Sequence, residues 1–207
     1  MLTKLKLLEN KLYNINKKKH LKNKDFTIIS SNCVGGIIYH DLGLPFLTPT
    51  VNLSFDMNDF VKFVSNLKYY IDKDLIKLDT NKEYPIGVIE DIKINFIHYK
   101  TFEEAKTKWD ERKQRINYDN LFIIGTDKDN FTYETLKAFE NLPYENKIIF
   151  THIDYSEISS SYCIKGFEDK NELGVITNFK KGFLMRRYLD DFDYINFLNN
   201  KRKETYV

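Results

Sequence analysis

The sequence predicts an α/β fold: a single three-layer domain with helices on both faces of a mixed, mainly parallel sheet. Three observations predict it. Short apolar runs at residues 26–29, 121–124 and 147–151 are bounded by polar turns, as inner strands covered on both faces are. Helical periodicities alternate with those runs along the chain. Each run ends in small or ionisable residues, at Ser31-Asn32-Cys33, Thr126-Asp127 and His152, where an open α/β sheet gathers its ligands.

Each element has a local reason. Residues 1–24 read as a basic helical arm and 25–207 as the single domain. Leu5, Leu8, Leu12 and Ile15 recur at helical spacing, which predicts an amphipathic helix lying on the body. Phe26-Thr27-Ile28-Ile29 is a β-branched and aromatic strand. It breaks into Ser30-Ser31-Asn32-Cys33, reaches the Gly35-Gly36 pair and re-enters a helix by Ile37. Pro45 and Pro49 then punctuate a loop. Asp56 or Asn58 caps the next helix, with Phe60, Phe63, Val64, Leu67 and Ile71 on one face. Residues 84–89 and 92–99 read as a hairpin turning at Glu90-Asp91, which puts an antiparallel pair into the sheet. Thr101 caps a helix running to about Ile116, its charge order matched to the helix dipole. A helix through Phe139 follows the second inner strand. Edge strands at 162–164 and 175–179 and an aromatic helix over 188–198 complete the reading.

Composition bounds the function. With 207 residues, 15% of them aromatic and 30% charged, the chain buries a substantial core and keeps a soluble surface. No apolar stretch reaches the ~20 residues that span a bilayer, and lysines interrupt the N-terminus where a signal segment would need apolar residues. The expectation is a cytoplasmic protein. Cys33 and Cys163 are too few for a disulfide framework and lack metal-ligand spacing, so no metal site is expected. The turn after the first strand matches neither the Walker pattern nor the dinucleotide fingerprint, and no cofactor is named by the residues. Charge is uneven. Residues 1–25 hold eight lysines against Glu9 and Asp25, a net +6, which leaves −4 for the rest of a chain of net +2. Such an arm suits peripheral contact with an anionic surface; a solvated helix in a lysine-rich composition is the plainer account, and no specific nucleic-acid motif is present.

Four blocks carry a family likeness: D-F-T-I-I-S-S-N-C-V-G-G, L-G-L-P-F-L-T-P, Y-P-I-G-V-I-E-D-I-K-I-N-F-I-H-Y and E-E-A-K-T-K-W-D-E-R-K-Q-R-I-N-Y-D-N-L-F. Together, from about Asp25 to the C-terminal aromatic helix, they resemble a bacterial family labelled as domain-of-unknown-function or exopolysaccharide biosynthesis proteins. Members commonly show an aromatic residue where Val34 stands, and Asn where Ser31 stands. The resemblance implies a cytoplasmic three-layer α/β protein encoded near surface-polysaccharide genes, and it supplies no reaction or catalytic residue.

The chemistry is therefore read from the strand ends. Cys33 beside a helix N-terminus is expected to have a lowered thiol pKa. His152 is the base, oriented by Asp127 or Asp154, and the N–H groups near Gly35 and Gly36 form an oxyanion hole. Ser31, Asn32, Gly35 and Gly36, with Arg112 and Arg115, are the expected substrate contacts, the substrate being a sugar or nucleotide sugar. Transfer or hydrolysis of an acyl or glycosyl group at this turn is the leading reading. Asp127-Lys128-Asp129 offers a second: two carboxylates sharing a divalent cation in a nucleotide-sugar glycosyltransferase. A non-catalytic module binding a glycan precursor or a partner is the third. Ser31, Asn32 and Cys33 are expected to line the largest pocket with Asp127 or His152, and Cys33 to be more reactive than Cys163.

Overall fold

The computed structural model describes residues 2–182 and 185–200, with the backbone alone over 2–8 and at Asn10. The tail 201–207 and the Leu5 and Leu8 side chains, both part of the expectations above, lie outside the described residues. Among the described residues seven strands form two sheets: β1 (Thr27–Ser30), β2 (Ile76–Leu78), β3 (Ile86–Ile89), β4 (Ile92–Asn95), β5 (Leu121–Thr126), β6 (Lys147–Thr151) and β7 (Ser161–Cys163). The main sheet is all parallel in the order β1-β5-β6-β7. The hairpin does not join it. Together with β2, which the sequence reading missed, β3 and β4 make a separate antiparallel sheet in the order β2-β3-β4.

Helices cover both faces of the main sheet, because each strand alternates its apolar side chains between two cores. Ile28, Phe122, Ile124, Ile148 and Phe150 enter one cluster, with residues of α2 (Val34–Leu42) and α7 (Tyr194–Asn199). Ile29, Ile123 and Ile149 enter the other, with α3 (Met57–Ser65), α4 (Leu67–Asp72), α5 (Phe102–Lys113), α6 (Tyr133–Glu140) and the small sheet. Trp109 of α5 sits in that second core. Thr101 caps α5 by accepting the Glu104 N–H, and Thr132 caps α6 by accepting that of Thr135.

β1 is an edge strand, not an inner one, yet its residues are fully buried. Its outward N–H groups are satisfied by side chains instead of a neighbouring strand. Ile28 N–H donates to the Tyr39 hydroxyl and Ser30 N–H to Thr50 Oγ1, while Thr27 Oγ1 donates to the Leu47 carbonyl. The proline-punctuated loop thus covers the edge. Other boundaries also move. The expected helix over Phe60 to Ile71 is broken at Asn66 into α3 and α4, and α5 stops at Lys113. The closing helix divides into a 3-10 turn, Tyr188–Asp191, and α7. Residues 175–179 are loop, with one bridge from Phe179 to Arg187.

The N-terminal helix α1 (Leu2–His20) meets the body through ion pairs. Lys17 pairs with Asp190 at 2.5 Å between the rings of Tyr13 and Tyr194, and Glu9 meets Arg186 at 3.3 Å. Leu12 and Ile15, expected on the body, stand in solvent.

Burial raises the hydroxyls of Tyr39, Tyr194 and Tyr144, the last from 10.0 to about 12. A group raised by folding contributes stability that is fully present below its unfolded value and is lost as pH rises through the folded one. Stability should therefore fall between pH 10 and 12. In a spectrophotometric titration, part of the tyrosinate signal should emerge only with the loss of circular dichroism. Reversible ionisation of every tyrosine in the folded chain would contradict this.

Candidate functional site

The turn after β1 has the expected position but not the expected free backbone. Asn32 Oδ1 accepts the Val34 N–H, and Ser30 Oγ accepts that of Gly35. The Val34 and Gly35 N–H groups are thus occupied within the turn. The glycines serve packing: a Cβ on Gly35 would lie 2.9 Å from both Ile28 Cγ2 and Ser30 Cβ, so α2 can lie this close to β1 only with glycine. Gly36 is buried against Val51 with ordinary spacing. Ser31 is buried, and its hydroxyl has no partner among the described residues.

Cys33 begins α2, and its thiol donates to the Leu53 carbonyl at 3.8 Å. Burial pushes the thiol above its ordinary range, against the lowered value expected from the helix end. His152 does not join it. The His152 ring Nδ1 lies 2.5 Å from Asp127 Oδ2, which also accepts the His152 backbone N–H at 2.7 Å; Asp127 Oδ1 accepts the Leu173 N–H at 2.9 Å. Asp127 is thus a buried clamp between β5, β6 and the loop at 173. Burial pushes its carboxyl up, against the pull of these donors. Asp127 and Asp129 are not a shared cation site, because both Asp127 oxygens are engaged inside the fold. No group of three His, Cys, Asp or Glu converges to hold a metal among the described residues. Arg112 donates to the Tyr99 hydroxyl and stacks on Phe46, and Arg115 donates to the Phe46 carbonyl. Through these contacts Arg112 of α5, and Arg115 just beyond its end, meet Phe46 of the proline loop.

A pocket of about 480 Å³ opens at the carboxyl ends of β1 and β5, within the size range of small-ligand sites. Asn32, Cys33 and Thr126 form its floor, and Lys128 and Asp129 follow from the β5 loop. Ser54, Tyr84 and His98 come from the side of the small sheet, and residues 174–177 close the remaining wall. The register explains the meeting. Phe55 N–H donates to Ser31 O, while Ser54 and Asn95 exchange backbone bonds, so residues 54–55 stitch the small sheet to the end of β1. Asn32 Nδ2 donates to Thr126 Oγ1 across the floor. Ser31, Asp127 and His152 are not lining residues, and a larger cavity of about 890 Å³ lies elsewhere, between α7 and the start of β6.

The mouth carries backbone strain. Asp129 and Asn130 have φ of 57° and 63°, a left-handed pair held by Asp129 O accepting the Met57 N–H and by Asn130 Nδ2 donating to Asp56. The Asp129 residue is solvent-exposed, yet its carboxyl is pushed above the ordinary range. Desolvation is the largest cause, opposed by Lys128 and reinforced by Glu172 and Asp56. Sequence reasoning assigned His98 no role. Tyr84 and Ser54 gave no sequence signal, since only the two-sheet docking brings them here.

The two thiols now rank differently. Cys163 is half-buried, with Lys165 Nζ 3.9 Å from its sulfur and opposing the rise that burial imposes, while Cys33 has no cation in that role. Iodoacetamide near neutral pH should therefore label Cys163 before Cys33. Faster labelling of Cys33, followed by peptide mass mapping, would restore the lowered thiol.

These features define an open α/β protein with a pocket at its strand ends whose lining mixes polar groups with the aliphatic side chains of Val34, Ile97, Val175 and Ile176. The chain belongs to the family described as Domain of unknown function (DUF1919), which it matches over residues 4–199. It is 42% identical over 182 residues, 88% of each chain, to a protein of Haemophilus influenzae named as uncharacterised.

Proposed function

We propose that the chain, through its domain from residue 25 onward, acts on the cytoplasmic side in surface-polysaccharide assembly. It binds a sugar-bearing substrate in the 480 Å³ pocket and transfers an acyl or glycosyl group there. The observation carrying this reading is that one pocket gathers an imidazole, a carboxylate, an ammonium, an amide, hydroxyls and an aromatic ring. Hydroxyl and amide groups suit a polyhydroxylated ligand, and the Tyr84 ring offers a face for sugar C–H groups. His98 takes the proton of the attacking hydroxyl, Asp129 holds the sugar, and Lys128 balances negative charge developing on the leaving group. Asn32 and Cys33 shape the floor. The family resemblance supports the surface-polysaccharide setting.

One observation favours binding without chemistry: the Asp127–His152 pair is spent on holding the fold. The two readings separate in a thermal-shift screen against nucleotide sugars and acyl donors followed by turnover assays. A ligand of the native state raises its stability, by about 2.7 kcal/mol at a hundredfold excess over Kd. The expected result is a shift with one of these donors that is lost in Asn32→Ala and in Asp129→Asn, with turnover of the donor that shifts. No shift with any donor, or a shift unchanged in both variants, would overturn the pocket. A shift without turnover would leave the binding module.

A further inference from the structure

The outer face of α1 carries a pattern that the pocket does not use. Two charges of this helix turn to the body and are neutralised there, Lys17 by Asp190 and Glu9 by Arg186. Among the described side chains, Leu12, 58% exposed, and Ile15, 42% exposed, stand in solvent with Lys11 and Lys19; Lys18 is exposed but donates to the Gly43 carbonyl at 3.4 Å, and Lys22 follows the helix in solvent. Among the described residues none of these four lysines forms an ion pair, whereas the buried Lys17 does. Leu12, Ile15 and Lys19 follow one another at helical spacing along one face, with Lys11 and Lys18 beside them.

We propose that α1 docks the protein onto an anionic membrane surface. An aliphatic strip flanked by lysines is the composition of a helix lying in a bilayer interface: the aliphatics enter the boundary of headgroup and acyl chain, and the lysines reach up to the phosphates. Charge complementarity selects this occupant. The chain beyond residue 25 holds −4 against +6 before it, so an anionic surface attracts the arm, repels the body and sets the orientation. A second copy on the same face would bring two rows of lysines together, and a nucleic acid would leave Leu12 and Ile15 without a partner. No helix is long and apolar enough to cross a membrane among the described residues, so the contact is peripheral.

The test sediments the full chain with vesicles of phosphatidylglycerol and phosphatidylcholine in equal parts, and with phosphatidylcholine alone. The chain should pellet with the first and stay in solution with the second, and should be released at about 0.5 M salt, where the screening length is a few ångström. Leu12→Ser/Ile15→Ser and Lys11→Gln/Lys19→Gln should each lower the pelleted fraction severalfold with an unchanged melting curve, since these side chains are exposed; Leu12→Gln alone should give a smaller loss. Failure to pellet with anionic vesicles would overturn the proposal. So would undiminished pelleting of Leu12→Ser/Ile15→Ser. A dimer in sedimentation equilibrium that this variant dissolves would assign the face to a second copy instead. Duplex DNA that binds this variant as well as the parent, without vesicle binding by either, would assign the lysines to nucleic acid.

Discussion

Asp127→Ala is expected to destabilise the folded chain by about 3 kcal/mol, from three N–H groups left without an acceptor at about 1 kcal/mol or more each. The carboxylate is itself buried, accepts the backbone N–H groups of His152 and Leu173, and faces the His152 ring. For a domain of this size that loss lowers the melting midpoint by about 6–12 °C. Asp127→Asn keeps one acceptor oxygen and should lose roughly half as much. The effect should also reach the pocket, because the Leu173 bond anchors the wall at residues 174–177. Chemical denaturation read by circular dichroism measures it. A change under ~0.5 kcal/mol, the scale of an ordinary surface substitution, would show that Asp127 is no clamp.

His98→Ala is expected to lower the proposed transfer by 10²- to 10⁴-fold, the usual contribution of a positioned general base. Its melting midpoint should be unchanged, because the exposed ring has no hydrogen-bond partner among the described residues. His152→Ala should show the opposite pattern, losing stability before activity, because its ring is 12% exposed and engaged with Asp127. Cys33→Ser should retain most of the activity, since burial raises the thiol above its ordinary range and the Val34 and Gly35 N–H groups are engaged within the turn. Full activity in His98→Ala together with none in Cys33→Ala would return the chemistry to the thiol.

The main sheet was legible because its strands are short, apolar and cut by polar turns, and that pattern depends only on local sequence. The edge position of β1 was not. Its residues are as buried as those of a central strand, because Tyr39 and Thr50 stand in for a neighbour, and burial is what an apolar run reports. The small sheet was legible as a hairpin, but period-two alternation does not say which sheet a hairpin joins. At the site, Asn32 and Cys33 were read from the end of β1 and Asp129 only as a cation partner of Asp127; these three line one pocket, while Ser31, Asp127 and His152 do not. Arg112 and Arg115 were misplaced because a basic helix end looks the same whether it faces a ligand or, as here, Tyr99 and Phe46. Asp127 and His152 meet each other, and neither lines the pocket that Cys33 does. Strand ends lie side by side, and which way each side chain turns is set by packing that no spacing rule contains.

The central claim is that ligand occupies the pocket at the ends of β1 and β5. Cys33 lines that pocket and Cys163 does not, which gives each molecule an internal control. Alkylation rates of both thiols, measured by peptide mass mapping with and without a saturating donor from the thermal-shift screen, test it directly. The donor should slow modification of Cys33 at least tenfold and leave Cys163 unchanged. Equal rates at Cys33 with and without a donor that demonstrably binds, or protection of Cys163 instead, would contradict the assignment.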